Sequence, residues 1–78
     1  MQTKFKRHQK VKLLRAPNVE SIEPYTEDKE ELDIKAGMLG EINIVLPNGT
    51  YHVRIFDKKG KVIAYVAMDE DGLEAIGS

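Results

Sequence analysis

The chain has 78 residues, a net charge of −1 and no cysteine. This length allows one domain, residues 1–78, with a small core worth only about 3–5 kcal/mol net, and the lack of cysteine excludes disulfides and thiolate metal sites. No apolar run reaches the ~20 residues of a membrane-spanning helix, and the start does not resemble a signal peptide, so we expect a cytoplasmic protein with no membrane partner.

The chain begins with a basic tail, residues 1–9, that leads into the first predicted strand, Lys10–Arg15. In this strand Val11 and Leu13 alternate with polar residues, which favours one apolar and one solvated face. Pro17 ends it, because proline cannot donate a ladder hydrogen bond. Cations interleaved with an aromatic ring can bind phosphates and stack on bases. The candidate nucleic-acid-binding residues are Lys4, Phe5, Lys6, Arg7, Lys10 and Lys12.

An acidic segment, residues 16–36, separates this strand from the rest of the predicted sheet. It contains two prolines, and residues 20–33 hold seven acids against one lysine. We predict a long first loop with room for one helical turn at Thr26–Leu32, since few apolar residues are present to anchor a helix. Long loops in compact domains are often functional. The candidate partner-binding residues of this loop are Tyr25, Glu27, Asp28, Glu30 and Glu31.

Three further strands are predicted in close succession, separated by two tight turns. Pro47–Gly49 favours a hairpin, because Asn-Gly suits a turn with positive φ at its centre. Asp57–Gly60 predicts a second tight turn. The three strands are Glu41–Leu46, Thr50–Phe56 and Lys61–Met68.

Alternation within these strands predicts which side chains face the core. The residues expected to point inward are Ile42, Ile44, Tyr51, Val53 and Ile55. His52 and Arg54 fall on the opposite face of their strand and are candidates for contact with a protein partner. Lys61–Met68 is apolar on both faces, which is typical of a strand covered on both sides.

A single helical turn at Asp69–Gly72 precedes a short last strand, Leu73–Ile76. A three-stranded meander alone would expose two edges, and pairing the first strand with the last would remove them. We therefore predict an all-β fold, a small five-stranded barrel with a long acidic first loop and one helical turn before the last strand. This layout resembles an SH3-like barrel.

A narrower resemblance covers about two-thirds of the chain. "GMLGEI" at Gly37–Ile42, "LPNG" at Leu46–Gly49, "DKKG" at Asp57–Gly60 and "DGL" at Asp71–Leu73 follow a common pattern. The order of these motifs, with an alternating strand between "LPNG" and "DKKG", is similar to that in an uncharacterised family of short bacterial SH3-like barrel proteins. The resemblance implies the fold and no particular activity.

No motif for catalysis is present. The serines lie outside any nucleophile motif, the acids cluster in a hydrophilic segment where they should remain ionised, and no glycine loop precedes a Lys-Ser or Lys-Thr pair. "DEDGLE" at Asp69–Glu74 is too short for a calcium loop. We expect no enzyme activity, no cofactor and no metal site.

The remaining class is a binding protein. We expect a small binding module or accessory subunit that mediates protein–protein interaction through the acidic loop or the His52 and Arg54 face. The alternative is a nucleic-acid-binding small barrel that uses the basic N-terminal segment. Self-association is a third possibility, because residues 1–15 carry six Lys or Arg and no acid and could meet the acidic loop of a second copy.

Overall fold

Six strands form one antiparallel sheet in the computed structural model, which describes residues 4–24 and 34–76. The strands are β1 (Lys10–Leu13), β2 (Ile22–Pro24), β3 (Leu39–Val45), β4 (Thr50–Phe56), β5 (Val62–Asp69) and β6 (Leu73–Ala75). Their order across the sheet is β2-β5-β4-β3-β1-β6. The described ranges contain three 3₁₀ turns and no α-helix, so the protein is all-β there. None of these turns is long or apolar enough to cross a membrane.

The predicted meander and the pairing of the terminal strands are both confirmed. β3, β4 and β5 are consecutive antiparallel neighbours, and β4 has the predicted bounds. In the hairpin turn Asn48 and Gly49 have φ of 65° and 75°, as an Asn-Gly turn requires. β1 pairs with β6, with Leu13 opposite Leu73. A 3₁₀ turn at Glu70–Gly72 precedes β6, where one helical turn was expected.

The predicted count of five strands is wrong, because β2 is a sixth. Ile22–Pro24 lies within the segment that the sequence assigns to a loop, residues 16–36, and pairs with the free edge of β5. A segment of three residues that includes a proline is too short to show alternation of apolar and polar side chains. Its pairing with β5 therefore determines its conformation. Pro24 is tolerated because β2 is an edge strand. The helical turn expected at Thr26–Leu32 falls outside the described residues.

The inward orientation predicted for Ile44 is also wrong. Ile42 is fully buried opposite Val53, but Ile44 is 46% exposed opposite His52. The ladder between β3 and β4 shifts register after Ile42, so Asn43 is an extra residue that is not paired with any residue of β4 in the ladder. Such a bulge reverses the alternation beyond it, and the alternating sequence pattern contains no sign of it.

Within residues 4–9, the predicted basic tail packs against the sheet. The Phe5 side chain is buried, and the backbone N–H groups of Lys4 and Phe5 donate to the Tyr51 hydroxyl at 3.1 and 3.3 Å. The His8 N–H donates to the Ile42 carbonyl at 2.7 Å. This segment therefore adds an apolar side chain to the core.

The core lies on one side of the sheet and is entirely apolar apart from one phenol. Its buried side chains are Phe5, Val11, Leu13, Ile34, Ile42, Tyr51, Val53, Ile55, Ala64, Val66, Met68 and Leu73. Every strand except β2 contributes to this set, and Ile22 of β2 packs against it.

Gly40 lies within β3, where the sequence suggests the end of a turn. A Cβ at this position would lie 2.6 Å from the Arg54 carbonyl oxygen and 2.9 Å from a methyl of Val53. Glycine is required here because the β4 backbone leaves no room for a side chain. Gly37, with φ of 92°, forms the turn itself.

Candidate functional site on the outer face of the sheet

The side of β3, β4 and β5 that points away from the core carries a connected set of polar and aromatic side chains. We call this surface the outer face. Its main residues are Glu41, Asn43, Ile44, His52, Arg54, Phe56 and Tyr65. Strand alternation places the residues of β4 and β5, and the bulge places Asn43 and Ile44 on the same side.

Asn43 links the two candidate residues of β4. Its amide nitrogen lies 2.9 Å from His52 Nδ1, and its Oδ1 accepts from Arg54 Nη2 at 3.1 Å. The His52 ring stacks on Tyr65 with centroids 5.2 Å apart and planes 10° apart, and the Arg54 guanidinium lies 5.8 Å from the centre of the same Tyr65 ring. Each of these side chains is thus fixed by at least one neighbour.

Glu41 is the acidic centre of the outer face. It lies between Lys10 of β1 and Arg54 of β4 in the strand register. Its carboxylate contacts Lys10 Nζ at 3.1 Å, His8 Nδ1 at 3.2 Å and Arg54 Nη1 at 3.7 Å. The hydrogen bond from Lys10 is the main cause that lowers the pKa of Glu41 below its ordinary value of 4.5, and burial opposes this shift.

The other cations of the first strand region also face carboxylates. Lys12 Nζ lies 3.2 Å from Glu74 of β6. Arg15 lies 3.1 Å from Asp71 and 3.7 Å from Asp69. The uneven charge of the sequence is therefore partly neutralised inside the fold, where basic residues of β1 meet acids of neighbouring elements.

The candidate residues from the sequence have different locations. His52 and Arg54 are brought together, as predicted for one strand face. Lys4, Lys6 and Arg7 are exposed, whereas Phe5 is buried against Tyr51 and its ring is not available for base stacking. Lys10 and Lys12 lie on β1 beside the outer face. The candidates of the acidic loop, Tyr25, Glu27, Asp28, Glu30 and Glu31, lie outside the described residues.

Sequence reasoning missed Glu41, Asn43, Ile44 and Tyr65 as parts of this surface. Glu41 is on the outer side of β3 by simple alternation, but its position opposite Arg54 depends on the bulge, because the register of the Val45–Tyr51 and Ile44–His52 pairs would otherwise place it opposite Ile55. Asn43 is on the outer side by simple alternation, whereas the outward orientation of Ile44 depends on the bulge. Tyr65 lies in Lys61–Met68, for which the sequence pattern predicts a strand that is apolar on both faces.

A groove opens at one end of the outer face, between the segment before β3 and the end of β4. We call it the end groove. It has a volume of about 430 Å³ and is lined by Lys35, Gly37, Met38, Leu39, Phe56, Asp57 and Lys58. Lys10 Nζ lies 5.1 Å from the centre of the Phe56 ring, so the groove is continuous with the Glu41 cluster.

A second cavity, of about 420 Å³, lies between residues 15–18 and 67–69. Arg15 at its border is engaged with Asp69. Among residues 4–24 and 34–76, no three His, Asp or Glu side chains are placed to hold a metal ion.

Comparison of the chain with protein-family models, with curated proteins and with solved structures finds no match. The geometry of the outer face is therefore the main guide to function.

Proposed function

We propose that the chain is a non-enzymatic binding module that docks a protein partner on its outer face, and that its sheet belongs to an SH3-like barrel. The fold proposal is supported by the pairing of β1 with β3 and β6, by the long connection after β1, and by the 3₁₀ turn before β6. Fold alone does not give function, so the functional proposal depends on the surface.

The observation that carries the proposal is the combination of fixed polar side chains with an exposed apolar one. Ile44 is 46% exposed beside His52, on a strand where a regular ladder would have alternated it inward. Arg54, His52 and Tyr65 next to it are held by mutual contacts. Arg and Tyr are enriched in the centres of protein interfaces, and side chains fixed in advance lose little entropy on binding.

The charge arrangement favours a protein over a nucleic acid. Lys10, Lys12 and Arg54 each have a carboxylate within 3.7 Å. A phosphate backbone would have to displace these carboxylates or lie beside them. Nucleic-acid binding remains a second proposal for one reason: Lys6 and Arg7 are exposed on a segment that the fold holds against the sheet.

The test is loss of a defined partner on substitution of the outer face. A protein retained by the full chain from nuclease-treated extract of the source cells is identified, purified and titrated against variants. We expect Ile44→Asp and Arg54→Ala to weaken its binding at least about tenfold, since hot-spot truncations cost about 2 kcal/mol or more. Val19→Asp is the matched control, because Val19 is 81% exposed in the 3₁₀ turn Val19–Ser21, which contributes no residue to the outer face as defined above.

Two results would overturn the proposal. Binding of the purified partner that is equally strong for Ile44→Asp, Arg54→Ala and Val19→Asp would exclude the outer face. Retention that disappears with nuclease, and that depends on Lys6 and Arg7, would replace the protein partner with a nucleic acid.

A further inference from the structure

We propose that the end groove accepts an apolar side chain from an acidic segment of the partner. This inference rests on the proposed function. It specifies which part of the partner binds at this end of the outer face, namely an apolar side chain flanked by acidic residues.

The floor of the groove is apolar and open to solvent. Leu39 is 49% exposed although it pairs with Lys12 at the start of β3, and Met38 and Phe56 are partly buried beside it. Met38 Sδ accepts from the Lys35 N–H at 3.2 Å, which positions the thioether at the groove. Methionine adapts its shape to a ligand more easily than branched residues do. The volume of about 430 Å³ is within the range of small ligand sites.

The charges around this floor favour an acidic ligand. Lys35 lines it from the segment before β3, and Lys58 lines it from the turn after β4. Lys10 reaches over the Phe56 ring from β1 but is already paired with Glu41 at 3.1 Å, so it is not part of this attraction. Lysine pairs with carboxylates on a partner, and the sign of the rim sets both the rate and the specificity of association.

Asp57, which also lines the groove, accepts hydrogen bonds from the backbone of its own turn. Its Oδ1 accepts from the N–H groups of Lys59 and Lys61, each at 2.9 Å. These hydrogen bonds, chiefly the one from Lys61, lower the pKa of Asp57. Asp57 keeps its negative charge, but its Oδ1 is held by these backbone donors, and Lys58 beside it offers the opposite charge to an incoming chain.

An acidic peptide fits this combination better than a nucleic acid does. A base would need an open aromatic face, and Phe56, the only aromatic ring among the described residues of the lining, already has Lys10 above it. A peptide with one apolar side chain between carboxylates would cover Leu39 and place acids near Lys58.

The experiment is an NMR titration of the ¹⁵N-labelled full chain with three synthetic peptides. The probes are acetylated and amidated EELFEE, EESGEE and KKLFKK. We expect only EELFEE to shift the amides of 35–39 and 56–58. The charge-matched EESGEE tests the need for the apolar anchor, and KKLFKK tests the need for acids.

Two matched pairs of variants test the site. Lys58→Glu should weaken EELFEE binding at least about fivefold, and Lys59→Glu should change it less than about twofold, since Lys59 is the next residue of the same turn but does not line the groove. Leu39→Ser should weaken binding, and Leu14→Ser should not, because Leu14 is similarly exposed, at 47%, but does not line the groove.

The inference would be overturned if both members of a variant pair lost affinity for EELFEE equally. It would also be overturned if EESGEE shifted the same amides as strongly as EELFEE, or if the shifts were confined to other amides. So would concentration-dependent shifts of the same amides without peptide, because a second copy would then be the occupant. If the purified partner still depends on Ile44 while the groove variants bind it normally, this inference fails and the proposed function stands. If neither surface affects the partner, both fail.

Discussion

The ring of Phe5 meets the ring of Tyr51 edge to face, with centroids 5.3 Å apart and planes inclined by 73°. The Tyr51 hydroxyl accepts from the N–H groups of Lys4 and Phe5 and donates to Glu70 Oε2 at 3.2 Å. One phenol thus joins the N-terminal segment, the centre of the sheet and the turn before β6. The basic residues 4–7 are held in place by this contact.

Phe5→Ala should strongly destabilise the fold. Truncation of a buried phenylalanine costs about 3–5 kcal/mol, which is comparable to the whole net stability of a domain of this size, about 3–5 kcal/mol. We expect a largely unfolded chain at room temperature, measured by circular dichroism and urea denaturation.

Lys6→Ala is the control for this prediction, because Lys6 is the exposed neighbour of Phe5. It should change the free energy of unfolding by less than about 0.5 kcal/mol. A Phe5→Ala chain as stable as Lys6→Ala would mean that the N-terminal segment does not contribute to the core.

Gly40→Ala should cost more stability than Gly72→Ala. At Gly40 the new methyl would meet the carbonyl oxygen of Arg54 at 2.6 Å, and this backbone cannot move without breaking the ladder between β3 and β4. At Gly72 the nearest atoms are the ends of the Met68 and Arg15 side chains, which can turn away. We expect a loss of about 2 kcal/mol or more for Gly40→Ala and about 1 kcal/mol or less for Gly72→Ala. Urea denaturation of both variants measures the difference, and the reverse order would contradict the close strand contact.

Ile42→Ala and Ile44→Ala test the bulge directly. The two residues are identical in type and lie two positions apart, so a regular strand would give similar losses for both. Because Ile42 is buried and Ile44 is exposed, we expect a loss of about 2–5 kcal/mol for Ile42→Ala and less than about 1 kcal/mol for Ile44→Ala. Equal losses in thermal or urea unfolding would show that the strand alternates without interruption.

Glu41→Gln should reduce the sensitivity of the fold to acid. The pKa of Glu41 is lower in the folded chain than its ordinary value of 4.5, so its ionised form adds stability above that pH. This contribution is lost as the pH falls from 4.5 through the folded-state pKa. The variant should be less stable than the parent chain near pH 7 and should lose less stability between about pH 5 and pH 3.

Urea denaturation at several pH values measures this effect. Asp57 also has a lowered pKa, so the free energy of unfolding falls further as the pH drops below its ordinary pKa of 3.8. Glu41→Gln should therefore flatten the dependence of this free energy on pH only in part. Combining it with Asp57→Asn, which keeps the side-chain oxygen acceptor, should flatten it further. Parallel profiles for Glu41→Gln and the parent chain would contradict the ion-pair geometry.

The sequence predicts the parts of the fold that depend on local chemistry. The Asn48-Gly49 pair sets the hairpin, and the alternation of β4 correctly assigns Tyr51, Val53 and Ile55 to the core. It also places His52 and Arg54 together on the other face. These features depend on neighbours in the chain, which a single sequence contains.

The parts that it does not predict depend on contacts between distant segments. β2 forms because the edge of β5 is available, and Ile22–Pro24 alone has no preference that indicates this. Phe5 is grouped with the nucleic-acid-binding candidates because its neighbours are cations, although Tyr51 and the rest of the core cover it. The groove also needs two segments, before β3 and after β4, that only the folded sheet brings together.

The bulge of β3 also has a consequence for how this surface can change over evolutionary time. Without Asn43, the remaining pairs, Ile42 with Val53 and Ile44 with His52, would form an uninterrupted ladder. Loss of a single codon would therefore leave the core and the strand order intact and remove the one amide that joins His52 to Arg54. Homologues that lack this residue would then also lack the polar network, and their alignments with this chain should carry a one-residue gap here.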